Sequence, residues 1–101
     1  MRMLLNVRMP VEPFNTLVRQ GKVGAVLGRI FEDIKPEAVY FSEQDGKRGV
    51  FLIVDVQDSS RVPSIAEPFF LHFNAECHVS IVMSPDDLKK GGLDELGKKW
   101  A

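Results

Sequence analysis

The chain is poor in several residues that would point to a particular chemistry. It has one cysteine, one tryptophan, one tyrosine and two histidines among 101 residues, and its net charge is −1. A single cysteine cannot form a disulfide within the chain and suits a reducing compartment. A net charge near zero does not provide the basic surface of nucleic-acid and anionic-lipid binders. We therefore expect no nucleic-acid partner and a cytoplasmic location.

Long hydrophobic runs are also missing. The N-terminal stretch MRMLLNVRMP has only a short apolar run before Asn6 and Arg8, which is too short for the core of a signal peptide. No stretch approaches the roughly 20 apolar residues that a membrane-spanning helix needs. A membrane is therefore not an expected partner.

Alternation of apolar and polar residues predicts four β-strands. They are Met3–Met9, Glu37–Glu43, Val50–Val56 and Ala75–Met83. Asp45-Gly46 lies between the second and third strands and predicts a hairpin, because glycine readily adopts positive φ.

Apolar residues at three- and four-residue steps predict one amphipathic helix from Phe14 to Ile34. Gly21, Gly24 and Gly28 lie inside it, and each costs about 1 kcal/mol relative to alanine. Close packing on the sheet or a break near Gly21 would account for them, and so would room left for a ligand. Their spacing does not match a phosphate-binding loop.

A second helix is predicted from Ser59-Ser60 to Phe73, with a kink or restart at Pro68. Ser84 then begins a short helix, and Gly91-Gly92 interrupts that helix. The element order is β-α-β-β-α-β followed by a helical tail. This order predicts a single α+β, ferredoxin-like domain over residues 1–101, with an antiparallel four-stranded sheet and a C-terminal helical tail at 84–101.

Both helices of such a fold cover the same face of the sheet. The face expected beneath them is almost wholly apolar and comprises Met3, Leu5, Val7, Met9, Leu52, Val54, Val56, Cys77, Val79, Ile81 and Met83. The opposite face mixes apolar and polar side chains: Leu4, Asn6, Arg8, Phe51, Ile53, Asp55, His78, Ser80 and Val82, with Tyr40 or Phe41. That mixture is too apolar for free solvent, so we expect a homodimer that pairs through this sheet face.

The element order, together with the segment EPFFLHFNAECHVSIVMSPDDL (Glu67–Leu88), resembles the dimeric α+β-barrel superfamily. In that superfamily two ferredoxin-like subunits place their sheets face to face with the helices outside. Its members include muconolactone isomerases, antibiotic-biosynthesis monooxygenases, haem-degrading monooxygenases and many small bacterial proteins. The resemblance implies a dimeric α+β barrel and does not by itself assign an activity.

The haem-degrading members use an asparagine of the first strand, a tryptophan and a histidine. Asn6 matches the asparagine by position, and His72 is the residue that would match the histidine. The tryptophan has no counterpart in the second helix, because the single tryptophan is Trp100 in the tail. The cofactor therefore stays unassigned: none is the expectation, and haem is the alternative.

Asn6, His72 and His78 are the candidate catalytic residues. His78 lies on the mixed face, and histidine is in general the side chain suited to acid-base chemistry near neutral pH, although a structural histidine at a subunit interface fits the same pattern. His72 fits a packing role as well. The chain has no His-x-His pair or His-Glu-x-x-His helix, so we expect no metal site.

Aromatic and hydroxyl side chains supply the candidate ligand-binding set. Its members are Tyr40, Phe51, Phe69, Phe73 and Ser80. The phenylalanines fit a hydrophobic core, and they also fit the lining of an apolar pocket between helices and sheet.

Two function classes remain open at this stage, and the sequence does not decide whether the protein is an enzyme. The first is a cofactor-independent monooxygenase or isomerase that acts on a small aromatic or quinone-like substrate. The second is a non-enzymatic homodimeric module that binds a small apolar ligand or serves only self-association. A closed cavity with a polar cluster would favour the first class, and a fully packed subunit would favour the second.

Overall fold

The computed structural model describes residues 1–101. The elements are β1 (Arg2–Met9), α1 (Val11–Arg19), α2 (Val23–Ile34), β2 (Ala38–Gln44), β3 (Lys47–Asp55), α3 (Val62–Phe73), β4 (Glu76–Val82), α4 (Pro85–Lys90) and α5 (Leu93–Lys99). The strands form one antiparallel sheet in the order β2-β3-β1-β4. The predicted α+β, ferredoxin-like arrangement with C-terminal helices is confirmed.

The core lies between the sheet and the helices α1, α2 and α3. Alternate residues of β1 point into it, because side chains alternate across a strand. The buried apolar residues of the sheet are Met3, Leu5, Val7, Met9, Val50, Leu52 and Val54, and Ile30, Ile65, Phe69 and Phe73 close over them from the helices. Phe73 also packs against Phe14, with 5.4 Å between the ring centroids. The predicted inward face of the two central strands is therefore correct.

Of the explanations for the glycines between Phe14 and Ile34, the break near Gly21 is the one found, and a single continuous helix is wrong. The structure has two helices, α1 and α2, separated by a turn at Gly21, whose φ is +68°. Glycine tolerates this left-handed conformation because it has no Cβ. The apolar periodicity continues on both sides of the turn, so it does not reveal the break.

The hairpin between β2 and β3 has a two-residue loop, Asp45-Gly46. Both residues have positive φ, 52° and 79°, as a type I′ turn requires. The strands consequently run closer to the turn than predicted, and Gln44 pairs with Lys47 as the last rung.

α3 runs without a restart through Pro68 and ends at Asn74, which adopts a left-handed conformation. Its first residues reach only part of β4. Val62 and Ile65 lie beside Val79, and no helix of the chain covers the sheet beyond that point.

The expectation that all of β4's apolar side lies beneath the helices is therefore wrong. Cys77 is half-buried, whereas Val79 is exposed and Ile81 and Met83 are 65% and 66% exposed. Periodicity identifies which side of a strand a residue faces, but it does not tell how far a neighbouring helix extends.

The two C-terminal helices stand apart from this body. The molecule measures 60 × 28 × 19 Å, and its radius of gyration of 17.0 Å exceeds the about 13 Å typical of a compact chain of this length. No helix of the chain combines the length and hydropathy needed to cross a bilayer.

Candidate functional site

The face of the sheet turned away from the helices carries most of the candidate residues. We call it the open face. It consists of alternate residues from all four strands: Arg2, Leu4, Asn6 and Arg8; Ala38, Tyr40, Ser42 and Gln44; Lys47, Gly49, Phe51, Ile53 and Asp55; Glu76, His78, Ser80 and Val82.

Four candidate residues form one row across the open face. Asn6 on β1 is paired with His78 on β4 on one side and with Phe51 on β3 on the other. Phe51 is in turn paired with Tyr40 on β2. Paired residues of neighbouring antiparallel strands have Cβ atoms about 4.5–5.5 Å apart. The sheet therefore places an imidazole, an amide and two aromatic rings side by side.

Ser80 belongs to the next row, opposite Leu4. That row continues through Ile53 to Ala38. It is apolar apart from the serine, so the open face has an apolar band directly beside the row that contains Asn6.

Three polar atoms of the open face are buried and have no hydrogen-bond partner within the chain. They are Asn6 Oδ1, Arg8 Nε and Gln44 Nε2. The Gln44 side chain lies over Gly49, where an added Cβ would collide with it. Buried polar atoms in proteins are nearly always hydrogen-bonded. These three atoms are shielded by the side chains around them, so a group from outside the chain reaches them only when those side chains move.

The charged residues around the open face are mostly neutralised by the chain itself. Arg8 pairs with Asp45 at 3.1 Å, and Arg2 pairs with Glu37 at 3.0 Å. The Glu37 carboxylate holds the pKa of Arg2 above its usual range, mainly through its hydrogen bond to the guanidinium. The carboxylate of Asp55 pairs with the N-terminal amine at 3.1 Å. The open face thus presents few unpaired charges.

His72 does not join this site. It is exposed on α3 and lines a solvent-open groove of about 970 Å³ between α2 and α3. Arg29, Glu32, Asp33 and Glu67 also line that groove. Asn6 lies across the sheet from it, so the pair that a haem site would require is not brought together. No cluster of three or more His, Cys, Asp or Glu side chains has an arrangement suitable for a metal ion.

Phe69 and Phe73 are fully buried in the core and pack on each other, with 6.5 Å between their ring centroids. The apolar cavity beside this layer, between Leu5, Val54 and Ile65, has a volume of about 10 Å³. That volume is at the limit for a single water molecule. The layer between sheet and helices is therefore filled by side chains.

Cys77 is the only thiol of the chain, and it faces the helices. Burial, with a smaller contribution from the Glu67 carboxylate, raises its pKa from 9.0 to about 11. Because the thiolate is the nucleophile, this thiol is suppressed at neutral pH. The structure gives Cys77 a packing role.

The sequence analysis did not place Gln44 on the open face, because it assigned this residue to a loop. A two-residue Asp45-Gly46 turn makes Gln44 the last residue of the strand, and strand alternation then puts it on the same side as Tyr40. That turn signal was the available clue. Compared by sequence, the chain matches no protein-family model and no curated protein, so a functional assignment has to come from this geometry.

Proposed function

We propose that the protein is a homodimeric module of the dimeric α+β-barrel kind, in which two copies join their open faces and leave their helices outside. The observation that carries the proposal is that no helix of the chain covers the open face, although this face holds partly buried apolar side chains. The three buried polar atoms without a partner, on Asn6, Arg8 and Gln44, belong to the same face. They are inaccessible in the single chain, so a second copy would hydrogen-bond them only after the side chains around them shift.

The apolar part of the open face supports the same partner. Leu4, Phe51 and Ile53 lie next to one another on the two central strands and are only partly buried within the chain. Burying an apolar side chain of this size gains roughly 1.5–3 kcal/mol. A twofold axis through this region would bury these three side chains in both copies.

Electrostatics also favours a second copy. A symmetric dimer brings each charge near its own equivalent, and unpaired like charges at an interface cost several kcal/mol. Arg2, Arg8 and Asp55 already have partners of opposite charge. Glu76 and Lys47 are the open-face charges without such a partner, so repulsion between two open faces would be confined to them.

A small apolar ligand of this module would lie between the two sheets. The layer between sheet and helices is filled, since Phe69 and Phe73 are fully buried and the neighbouring cavity measures only about 10 Å³. The cytoplasm is the compartment that we propose, because the single thiol, Cys77, suits reducing conditions.

The test is a pair of lysine substitutions in the full-length chain. Ile53→Lys places a charge in the middle of the open face, whereas Leu71→Lys makes the same change on the outer surface of α3, where Leu71 is 78% exposed. Sedimentation equilibrium should show that Ile53→Lys is monomeric and that Leu71→Lys keeps the mass of the parent. Circular dichroism checks that both variants are folded. Unchanged dimerisation of a folded Ile53→Lys chain would refute the pairing of open faces.

A second candidate function has a specific observation in its favour, the row His78–Asn6–Phe51–Tyr40. In a cofactor-independent monooxygenase or isomerase, His78 would transfer a proton and Asn6 would hydrogen-bond a carbonyl or phenolate oxygen. Phe51 and Tyr40 would pack against the substrate ring.

The assay for this second function is oxygen uptake or isomer formation with small hydroquinones and lactones. Asn6→Ala and His78→Ala should each lower the rate about 100-fold or more, as loss of acid-base or oxyanion groups usually does. His72→Ala is the matched control, because His72 lies outside the row, and it should keep the parental rate. Equal rates in all three variants would exclude this row as the catalytic site.

A further inference from the structure

The last 18 residues form an arm that makes few contacts with the rest of the chain. We define the arm as residues 84–101, which contain α4 and α5. Neither α4 nor α5 packs substantially on another helix or strand, and the molecule is 60 Å in its longest dimension. Isolated helices shorter than about 12–15 residues are marginal in water, and α5 has seven residues. The arm therefore needs something to pack against.

One side of α5 is apolar and exposed. Leu93, Leu96 and Trp100 follow each other at steps of three and four residues, so they lie on the same side of the helix. Trp100 is 75% exposed, and both leucines are exposed as well. Tryptophan and leucine on one helix face are typical of a contact surface, since a buried tryptophan removes 150–250 Å² from water, roughly.

The body has an exposed apolar strip that is about as long as the apolar side of α5. It is the helix-facing side of the end of β4, formed by Val79, Ile81 and Met83, all of them exposed. Three alternate strand residues span about 13 Å, and the seven steps from Leu93 to Trp100 span about 10 Å. The apolar sides of α5 and of the strip therefore agree in length and in character.

The base of the arm is a capped helix start that lies near one residue of the open face. Ser84 Oγ accepts a hydrogen bond from the Asp87 N–H at 3.1 Å, and Asp87 Oδ2 accepts one from the Ser84 N–H at 3.0 Å. Asp87 also lies 3.9 Å from the guanidinium of Arg2, a residue of the open face. The arm thus begins beside Arg2, at the end of the open face where a second copy would sit.

The arm is long enough to reach around the sheet of a second copy. Two sheets that pack face to face are about 10 Å apart, and a helical arm of this length reaches about 25 Å. It can therefore pass the edge of a partner sheet and arrive on that sheet's helix side. Gly92, with a φ of +73°, provides a bend between α4 and α5.

The size of the interface gives a further reason. Four strands of about seven residues cover roughly 450 Å², so two open faces bury about 900 Å² if they are flat. Stable protein interfaces bury roughly 1,200–2,000 Å². Two exchanged arms would supply the difference through Leu93, Leu96 and Trp100.

We infer that the two copies of the dimer exchange arms: Leu93, Leu96 and Trp100 of one copy pack on Val79, Ile81 and Met83 of the second. This inference rests on the proposed dimer and adds a second, reciprocal contact to it. The partner that each arm binds is a second copy of this chain.

Trp100 is the only tryptophan and therefore reports directly on the arm. In the full-length parent its emission should shift to longer wavelength on dilution through the dissociation range, because docking on a second copy removes it from water. Emission at short wavelength that does not depend on concentration would mean that the arm folds back on its own chain. Emission typical of exposed tryptophan in the intact dimer would overturn the inference as well.

Complementation between two variants distinguishes exchange from every local contact. Trp100→Phe keeps the strip and has no tryptophan, whereas Ile81→Asp keeps Trp100 and loses the strip. Mixing the two should shift Trp100 emission to shorter wavelength, because the arm of the Ile81→Asp chain then finds an intact strip on its partner. Ile81→Asp alone should dimerise about tenfold more weakly than the parent or worse.

Two outcomes separate this inference from the proposed function. If the parent sediments as a dimer but mixing leaves Trp100 emission unchanged, arm exchange is wrong and the pairing of open faces stands. If the parent is a monomer at all accessible concentrations, both proposals fall together.

Discussion

Asn6 and His78 are paired directly across β1 and β4 on the open face of the sheet. Phe51 stands on the other side of Asn6, so the amide lies between an imidazole and an aromatic ring. The amide oxygen has no hydrogen-bond partner within the chain. The Asn6 row therefore combines hydrogen-bonding and aromatic groups on one side of the sheet.

A small quinone should bind beside Asn6, because the Asn6 Nδ2–H group can donate to a quinone carbonyl and the neighbouring Phe51 and Tyr40 can pack on its ring. Adding menadione to isotope-labelled protein should shift the NMR signals of Asn6, His78, Phe51 and Tyr40. The signals around His72, which lies in a separate groove between α2 and α3, should stay in place. Shifts confined to the His72 groove would contradict the assignment of the open face as the ligand site.

Two glycine-to-alanine substitutions should have opposite effects on stability. Gly21 has a φ of +68°, so Gly21→Ala forces a left-handed alanine and should lower the free energy of unfolding by about 1–2 kcal/mol. Gly28 lies inside α2 with open space around it, so Gly28→Ala should raise it by roughly 0.5–1 kcal/mol. Urea unfolding at one fixed protein concentration gives both values. The same sign for both variants would contradict the break between α1 and α2.

Truncation of a core phenylalanine should be costly. Phe69 is fully buried between the sheet and Phe73, so Phe69→Ala should lower the free energy of unfolding by about 3–5 kcal/mol. Leu71→Ala, two residues away on the solvent side of α3, should change it by less than about 0.5 kcal/mol. Thermal and urea unfolding provide the comparison. A small effect at Phe69 would mean that this layer is not packed as described and has room for a ligand.

The Cys77 thiol should react slowly near neutral pH. Burial raises its pKa from 9.0 to about 11, so the thiolate fraction of the folded protein at pH 8 is roughly a hundredfold below that of the unfolded chain. Because the folded pKa is the higher one, this group contributes stability below about pH 9 and loses it as the pH rises to about 11. The rate of alkylation by iodoacetamide should keep rising beyond pH 9. A plateau at or below that pH would show an ordinary, accessible thiol.

The sequence predicts most of the fold, because alternation and turn chemistry are local. Met3, Leu5, Val7 and Met9 alternate regularly and are all buried, and Asp45-Gly46 forms the expected hairpin turn. How far a helix extends over a neighbouring strand is harder to predict, because it depends on residues far apart in the sequence. Val79 and Ile81 alternate in the same way as the residues of β1. They are exposed because α3 begins at Val62, beside Val79, and does not extend over the rest of β4.

The candidate site is predicted in part for the same reason. Strand pairing brings Asn6, His78, Phe51 and Tyr40 into one row, as their shared side of the strands indicates. His72 lies on the outside of α3. The sequence did not reveal this, because a short apolar stretch with polar residues on several sides does not show which side of the helix faces the core.

The mass of the full-length chain in solution tests the central claim most directly. Sedimentation equilibrium across the micromolar range should give twice the 11.4 kDa of one chain, with dissociation only on strong dilution. A species of 11.4 kDa that persists throughout this range would contradict the account, because the open face would then be stable in water without a partner.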